Sequence, residues 1–465
     1  MKTIIVGGGV VGTQLAKILI DEKRDVVIIE KDPETARHLS NQMDCLVIPG
    51  EGNNLEILRA AGLGKADHLV SVTSSDEINM VICGLAGNEN QNLATVARIR
   101  NTDYHSFGFF ENPFLGISYM VHPDLEVART IIRTLEHGAL GEIKAFEDSE
   151  LKLINLEIKA GTVFANRTVA DLRNACNFKF LIVTLIRKAN YTIPRGDTLL
   201  LDGDIAYFIA PDEAIMELYR MAGKEKTDFN KIAIVGGGRI GTYIVNDLLE
   251  NEKGGTSLFA KIASVFIKKA KKTIAIIDKN YEKCKNLTAQ FPEALVLNAD
   301  ISEEGFAEEE ELPSYDLLLA VTDNQELNLI TAAYAKKLGV KKTIALVVQN
   351  SYVNIASHLG IDVTISLKDA VVNTILRFIR KGDIKNIYGI AGGKIDIIEM
   401  VLQEGCRLLG RRLEQVRMPK DSLVVTVTRK EKSFIPDGDY IFQPEDVILI
   451  IAPKDVLAKV EELFI

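Results

Sequence analysis

Gly7, Gly9 and Gly12 stand at GxGxxG spacing, directly after the apolar run "TIIV" and at the head of the stretch "VVGTQLAKILID". A strand before and a helix after are what give this spacing its chemistry. The first glycine allows a tight turn, the second lets backbone approach a pyrophosphate, and the third lets helix and strand pack closely. Exposed N–H groups and the helix dipole at such a turn favour an anion. Glu30 ends the next apolar run, 23 residues after Gly7, where a carboxylate would hydrogen-bond ribose hydroxyls and repel a 2′-phosphate. That favours NAD over NADP. Further on, "ARIRN" places Arg98 and Arg100 beside the site, and the planar fork of arginine suits phosphate. The other reading of this segment is a degenerate nucleotide fold that binds nothing.

The device returns. "KIAIVGGGRIG" carries Gly236, Gly238 and Gly241 at a constant offset of 229. Its partner acid is Asp278, 42 residues after Gly236, because an insert at 254–272 lengthens the connection by 19 residues. Where the first copy has its arginines, the second reads "LVVQN", with Val347 and Gln349. The second copy has the loop and the acid without the cations, and a retained fold with weak or no ligand is the alternative.

Three more blocks repeat in the same order. "VTSSDEINM" at 72–80 matches "VTDNQELNL" at 321–329, and "GISYMVHPDLEVARTIIRTLEHG" at 116–138 matches "GIDVTISLKDAVVNTILRFIRKG" at 360–382. "IPRGDTLLLDGDIAYFIAP" at 193–211 matches "IPDGDYIFQPEDVILIIAP" at 435–453. A repeat of this length means duplicated structural units, giving the order N1–C1–N2–C2. In N1 the pattern predicts strands at 2–6, 26–30, 45–48, 68–72 and 94–98 with amphipathic helices between them. Val/Ile/Leu-rich strands that alternate with helices imply a parallel sheet covered on both faces. The C parts instead alternate apolar and polar residues, as in "LKLINLEI" and "LIVTLIR", around one short helix. The expected fold class is α/β: two Rossmann-like doubly wound parallel-sheet domains, each followed by a small α+β domain. The expected boundaries are 1–140, 141–225, 229–385 and 386–465.

Composition sets outer bounds. A chain of 465 residues is too long for one ordinary core. Its net charge of −9 argues against a sequence-independent grip on nucleic acid, which needs a basic surface. Five scattered cysteines without a CxxC pair read as a reduced, cytoplasmic protein. No apolar stretch reaches the ~18 residues of a membrane span.

Catalytic signals are missing. Hydride transfer needs an acid or base near the nicotinamide. The six histidines are His38, His68, His105, His122, His137 and His358, so neither C part holds one. Tyr281 and Lys285 make a YxxxK match, but it begins three residues after Asp278, on the adenosine side. No histidine, cysteine or carboxylate cluster has metal-ligand spacing, and there is no nucleophile elbow. The expectation is a nucleotide sensor without catalytic or metal-binding residues.

"VGGGVVGTQLAKIL…VVIIEKD", "LRAAGLGKADHLVSVTSSDEIN", "ARIRN" and the "IPxGD" C modules resemble regulator-of-potassium-conductance (RCK) domains. Two N-plus-C pairs in one chain resemble the TrkA family, peripheral cytoplasmic subunits of Trk-type bacterial potassium uptake. The resemblance implies N domains that bind NAD(H) or ATP/ADP and four chains in a ring on the cytoplasmic face of the inner membrane. Ligand exchange would reshape that ring and gate the membrane transporter. By the same resemblance the N1 contacts would be Gly7, Gly8, Gly9, Val10, Val11 and Gly12 of the loop, with Glu30, Thr73, Ser74, Arg98 and Arg100. In N2 they would be Gly236, Gly238, Ile240, Gly241, Asp278, Thr322 and Asp323.

The chain departs from the family pattern in places. Gly50-Glu51 and Ala299-Asp300 stand where a Gly-Asp pair is usual, and Ser366-Leu367-Lys368 where Ser-Pro-Arg is usual. The insert "GGTSLFAKIASVFIKKAKK" has apolar residues at helical spacing and five lysines toward its end. It reads either as a lengthened helix with a solvated tail or as a basic surface helix for lipid or transporter. Two rival functions stay open: a dinucleotide-dependent oxidoreductase of unknown substrate, and the regulatory part of a different cation transporter.

Overall fold

The structure is a computed structural model that describes residues 1–101, 104, 115–136, 143–146, 149–188, 190–223, 229–252, 272–303, 305–349, 351–379, 384–390, 395–430, 432–453 and 456–464. Most of the insert at 254–272, His105 and His137 lie outside the described residues.

In N1, β1 (Lys2–Val6), β2 (Asp25–Glu30), β3 (Leu46–Pro49), β4 (His68–Ser71), β5 (Ala94–Arg98) and β6 (Tyr119–Val121) form one sheet in the order β3-β2-β1-β4-β5-β6. All of its pairings are parallel. Ile4, Ile5, Val27, Ile28, Leu69 and Val70 are fully or nearly fully buried, as near-continuous apolar strands require when helices cover both faces. The pattern anticipated the first five strands within a residue or so; β6, three residues long, was not anticipated.

The order reverses between β1 and β4. In open α/β sheets that reversal opens a crevice at the carboxyl ends of the strands, and ligands sit there.

C1 contributes β7 (Ile143–Ala145), β8 (Leu151–Glu157), β9 (Leu181–Arg187), β10 (Asn190–Thr192) and β11 (Ile205–Pro211) in an antiparallel sheet, order β10-β9-β11-β8-β7. Its described residues form two helices, Val169–Ala175 and Asp212–Met221, one more than the pattern suggested.

N2 repeats N1. β12 (Lys231–Val235), β13 (Thr273–Asp278), β14 (Leu295–Asn298), β15 (Leu317–Ala320), β16 (Lys342–Val347) and β17 (Val363–Ser366) pair in parallel, in the order β14-β13-β12-β15-β16-β17. C2 repeats C1 with β18 (Ile384–Ile390), β19 (Ile395–Val401), β20 (Leu423–Arg429), β21 (Lys432–Phe434) and β22 (Val447–Pro453), order β18-β19-β22-β20-β21. A single 3₁₀ turn, Leu413–Gln415, stands where C1 has its 169–175 helix. A bidentate Arg187–Asp204 pair in C1 recurs as Arg429–Asp446 in C2, each at 2.7 Å on both arms.

Two compact units result, one joining residues 1–132 with 229–379 and the other joining 133–228 with 380–465. Within the first, helix Leu367–Ile379, which follows the N2 sheet, lies in the N1 core. Val371, Val372, Ile375, Leu376 and Ile379 pack with Ile5, Leu15, Leu19 and Val70, and Phe378 stacks on Tyr119 at 5.1 Å. Each fully buried aliphatic side chain contributes about 1.5–3 kcal/mol, so this helix stabilises N1 by covering its core. Helix Pro123–Glu136 meets it, with the Thr374 hydroxyl donating to Glu126 at 3.0 Å and Arg377 3.8 Å from the same carboxylate. Within the second unit, Leu151, Leu153, Val183 and Ile209 of C1 share a core with Ile395, Ile397, Leu449 and Ile451 of C2.

Candidate nucleotide site

Both glycine loops adopt the conformation their sequence calls for. Gly7 and Gly236 have φ of +108° and +113°, a left-handed region that a side chain rarely enters. A Cβ at Gly12 or Gly241 would run into the carbonyl oxygen of Gly7 or Gly236, so helix and loop touch there. Gly9 and Gly238 have open space instead: apart from their chain neighbours, no atom of the described residues lies within 4 Å of where a Cβ would stand. Gly9 caps helix Val10–Asp21, leaving the helix's first N–H groups at the crevice. Val10 is exposed and Val11 half-buried, while Ile240 of the second loop is buried.

The acids sit where the spacing put them, with an added role. Gly8 N–H donates to Glu30 Oε2 at 2.5 Å and Asp32 N–H to Oε1 at 2.9 Å. In N2, Gly237 N–H donates to Asp278 Oδ2 at 2.9 Å and Asn280 N–H to Oδ1 at 2.8 Å. Each carboxylate therefore ties the end of its strand to the glycine loop. A carboxylate oxygen has two lone pairs, so capacity for a ribose hydroxyl remains.

Arg98 ends β5 with 7% of its surface exposed. Its Nη1–H donates to the Thr73 carbonyl at 3.0 Å, and its Nε has no hydrogen-bond partner among the described residues. Burial first, then the neighbouring Arg100 charge, pulls the guanidinium down from its ordinary value to about 10, so it stays charged at neutral pH. A buried cation with an unused donor costs free energy unless something anionic completes it. Arg100 is exposed, and its backbone N–H donates to Asp76 Oδ2 at 2.8 Å. Thr73 is half-buried and Ser74 exposed at the exit of β4; Thr322 and Asp323 repeat that arrangement after β15. The N2 position of Arg98 is Val347, fully buried, and among the described residues N2 brings no arginine to that point.

Sequence reasoning missed one residue here. Asn79 on helix Asp76–Glu89 is fully buried. Its Oδ1 accepts from Ser71 Oγ at 2.8 Å, Thr73 N–H at 2.9 Å and Thr73 Oγ1 at 2.7 Å, and its Nδ2 donates to the Arg98 carbonyl at 2.7 Å. Asn328 repeats this, with Thr322 N–H at 2.9 Å, Thr322 Oγ1 at 2.6 Å and the Leu346 carbonyl at 2.9 Å. The signal was the shared Asn in "VTSSDEINM" and "VTDNQELNL".

Tyr281 of the YxxxK match opens helix Tyr281–Gln290 and is largely exposed. Among the described residues no three His, Cys, Asp or Glu side chains gather to hold a metal, and no helix is long and apolar enough to cross a membrane.

The comparisons agree with this geometry. The TrkA-N domain model matches residues 3–123 and 255–367, and the TrkA-C domain model matches 153–223 and 397–465. The chain is 30% identical to the Trk system potassium uptake protein TrkA homolog 1 of Methanosarcina mazei, over the full length of both. It is 27% identical to the Trk system potassium uptake protein TrkA of Halomonas elongata, covering all of this chain and 98% of that one. A solved GsuK channel bound to NAD shares the fold at TM-score 0.57 and 14% identity, covering 100% of this chain and 78% of that one. With both domain models matched in tandem along one continuous full-length alignment, the chain belongs to the TrkA family.

Proposed function

We propose that this chain is the nucleotide-sensing regulatory subunit of a Trk-type potassium uptake system and performs no catalysis of its own. N1 holds an adenine nucleotide, NAD(H) or ATP/ADP, against Gly7–Gly12, with Glu30 toward the ribose and Arg98 and Arg100 toward the phosphates. Thr73 and Ser74 border it. N2 offers Gly236, Gly238, Ile240, Gly241, Asp278, Thr322 and Asp323 and no cation at the Arg98 position, so it binds the same class more weakly.

Arg98 carries the reading: a buried guanidinium whose Nε has no hydrogen-bond partner among the described residues, one strand beyond the switch point, suits a phosphate. The open cradles at Gly9 and Gly238 fit the close approach of a pyrophosphate.

Four copies close into a ring on the cytoplasmic face of the membrane transporter. Val81 and Leu115 of N1, and Ile330, Tyr334, Ile355 and Leu359 of N2, are large apolar side chains left exposed, and a neighbouring copy would cover them. Nucleotides that favour different ring shapes then shift the transporter between states, a coupling of about 1–3 kcal/mol in typical cases.

The test is mass spectrometry of the small molecule that co-purifies with the native chain, followed by calorimetry with NAD, ADP and ATP. Retention of an adenine nucleotide is expected. A chain that binds none of the three, yet consumes NADH with a small carbonyl compound, belongs to a different functional class.

A further inference from the structure

We propose that Asn79 is the positioning residue through which N1 holds Arg98 in place for the phosphates of its ligand. The proposal rests on the nucleotide reading of N1.

Among the described residues Arg98 has no ion pair; its described hydrogen bonds are the one it gives the Thr73 carbonyl and those at its backbone. Asn79 reaches both ends of that arrangement. Its acceptor oxygen takes Thr73 N–H and Thr73 Oγ1, and its amide donates to the Arg98 carbonyl at 2.7 Å and more distantly to the Thr73 carbonyl at 3.4 Å. One planar amide thus fixes the distance between the exit of β4 and the end of β5. Thr73 in turn abuts the glycine loop, since a Cβ on Gly7 would lie 3.2 Å from Thr73 N. The contacts run without a gap from the loop that meets a pyrophosphate, through Thr73 and Asn79, to the cation.

Asparagine suits this task because it accepts and donates from opposite sides of one rigid group, without charge. An aspartate would put a second acceptor against the Arg98 carbonyl, and an alanine would leave that carbonyl and the Ser71 hydroxyl short of a partner in a buried place. N2 keeps the amide, Asn328, but has Val347 where the cation would be, so there it ties Thr322 to the Leu346 carbonyl with no guanidinium to place.

A purely structural Asn79 would weaken every ligand alike, whereas one that acts through Arg98 weakens ligands only in proportion to their phosphates. The experiment titrates ADP and adenosine into the full-length chain by calorimetry, taking as N1 the site that Arg98→Ala removes. Asn79→Ala is expected to lower ADP affinity at N1 by about tenfold, the scale of a lost buried hydrogen bond, and to leave adenosine affinity unchanged. Equal losses for both ligands, or no loss for ADP, overturn the proposal. If Asn79→Ala does not fold, Asn79→Ser keeps a neutral acceptor, loses the amide's reach to the Arg98 carbonyl without adding charge, and is expected to show the same split. Asn328→Ala is expected to leave ADP binding at N1 intact, and a loss there also overturns it. An unaltered chain that takes up no ADP at all refutes the nucleotide reading itself.

Discussion

The Nε–H of Arg239 donates to Asp124 Oδ2 at 2.5 Å, joining residues 115 positions apart. Arg239 is the first residue of the helix after the N2 glycine loop, and Asp124 stands just beyond the last strand of the N1 sheet. The hydrogen bond to Asp124 raises the Arg239 guanidinium above its ordinary value, and both charges also act on Arg98. The second glycine loop therefore enters the electrostatics of the first crevice. Asp124 is the unfavourable member for an anion there. Asp124→Asn is expected to raise ADP and ATP affinity at N1 by about threefold at low salt, the gain fading as the Debye length shrinks. Calorimetry at two ionic strengths checks this, and an unchanged affinity at both would contradict it.

Arg98→Ala removes the only buried cation of the N1 crevice that the structure describes. We expect N1 binding of ADP to fall by at least about tenfold, because charge-assisted hydrogen bonds are the stronger class. Potassium uptake should lose its response to nucleotide supply in the same variant. Unaltered binding in a direct titration would rule out the assigned role.

Ile375→Ala tests the helix that reaches N1 from beyond the N2 sheet. Ile375 is fully buried among N1 residues although it follows the N2 sheet. Truncation of such a side chain costs about 2–5 kcal/mol. Hydrogen exchange should quicken in β1 and β4 of N1, and a change confined to N2 would show that the helix does not support N1.

His68 gives the first sheet an acid sensitivity. Burial lowers its pKa from 6.5 to about 4, and its Nδ1 has no hydrogen-bond partner among the described residues. The unfolded chain takes a proton near pH 6.5 and the folded chain only near 4, so the unfolded state binds more protons between these values. Stability is then lost as pH falls from about 6.5 toward 4 and levels off below, by about 3 kcal/mol at most. His68→Asn should flatten that part of the denaturation profile; an unchanged slope would place its origin elsewhere.

Much of the fold was readable because its signals are local. Gly7 and Gly12 are dictated by turn and contact geometry, and short apolar runs such as "TIIV" bounded by a glycine turn read as doubly covered strands. Arg98 was readable because an arginine at the end of an apolar strand has no structural reason to be there. Asn79 was not, since helix propensity says only that asparagine is a poor helix former and its value lies in partners 6 to 19 residues away. The placement of helix 367–379 was also hidden: its amphipathic period shows that one face is buried, and nothing in that period says against which sheet.

That helix has a consequence for how the chain comes into being. Ile5, Leu15 and Leu19 emerge from the ribosome about 350 residues or more before Val371 and Ile375, which cover them. The first lobe must wait, unsealed on one side, until that later helix has been made. Excising it as a stand-alone fragment exposes grease rather than freeing a module, so in this protein a gene duplication has become an obligate partnership.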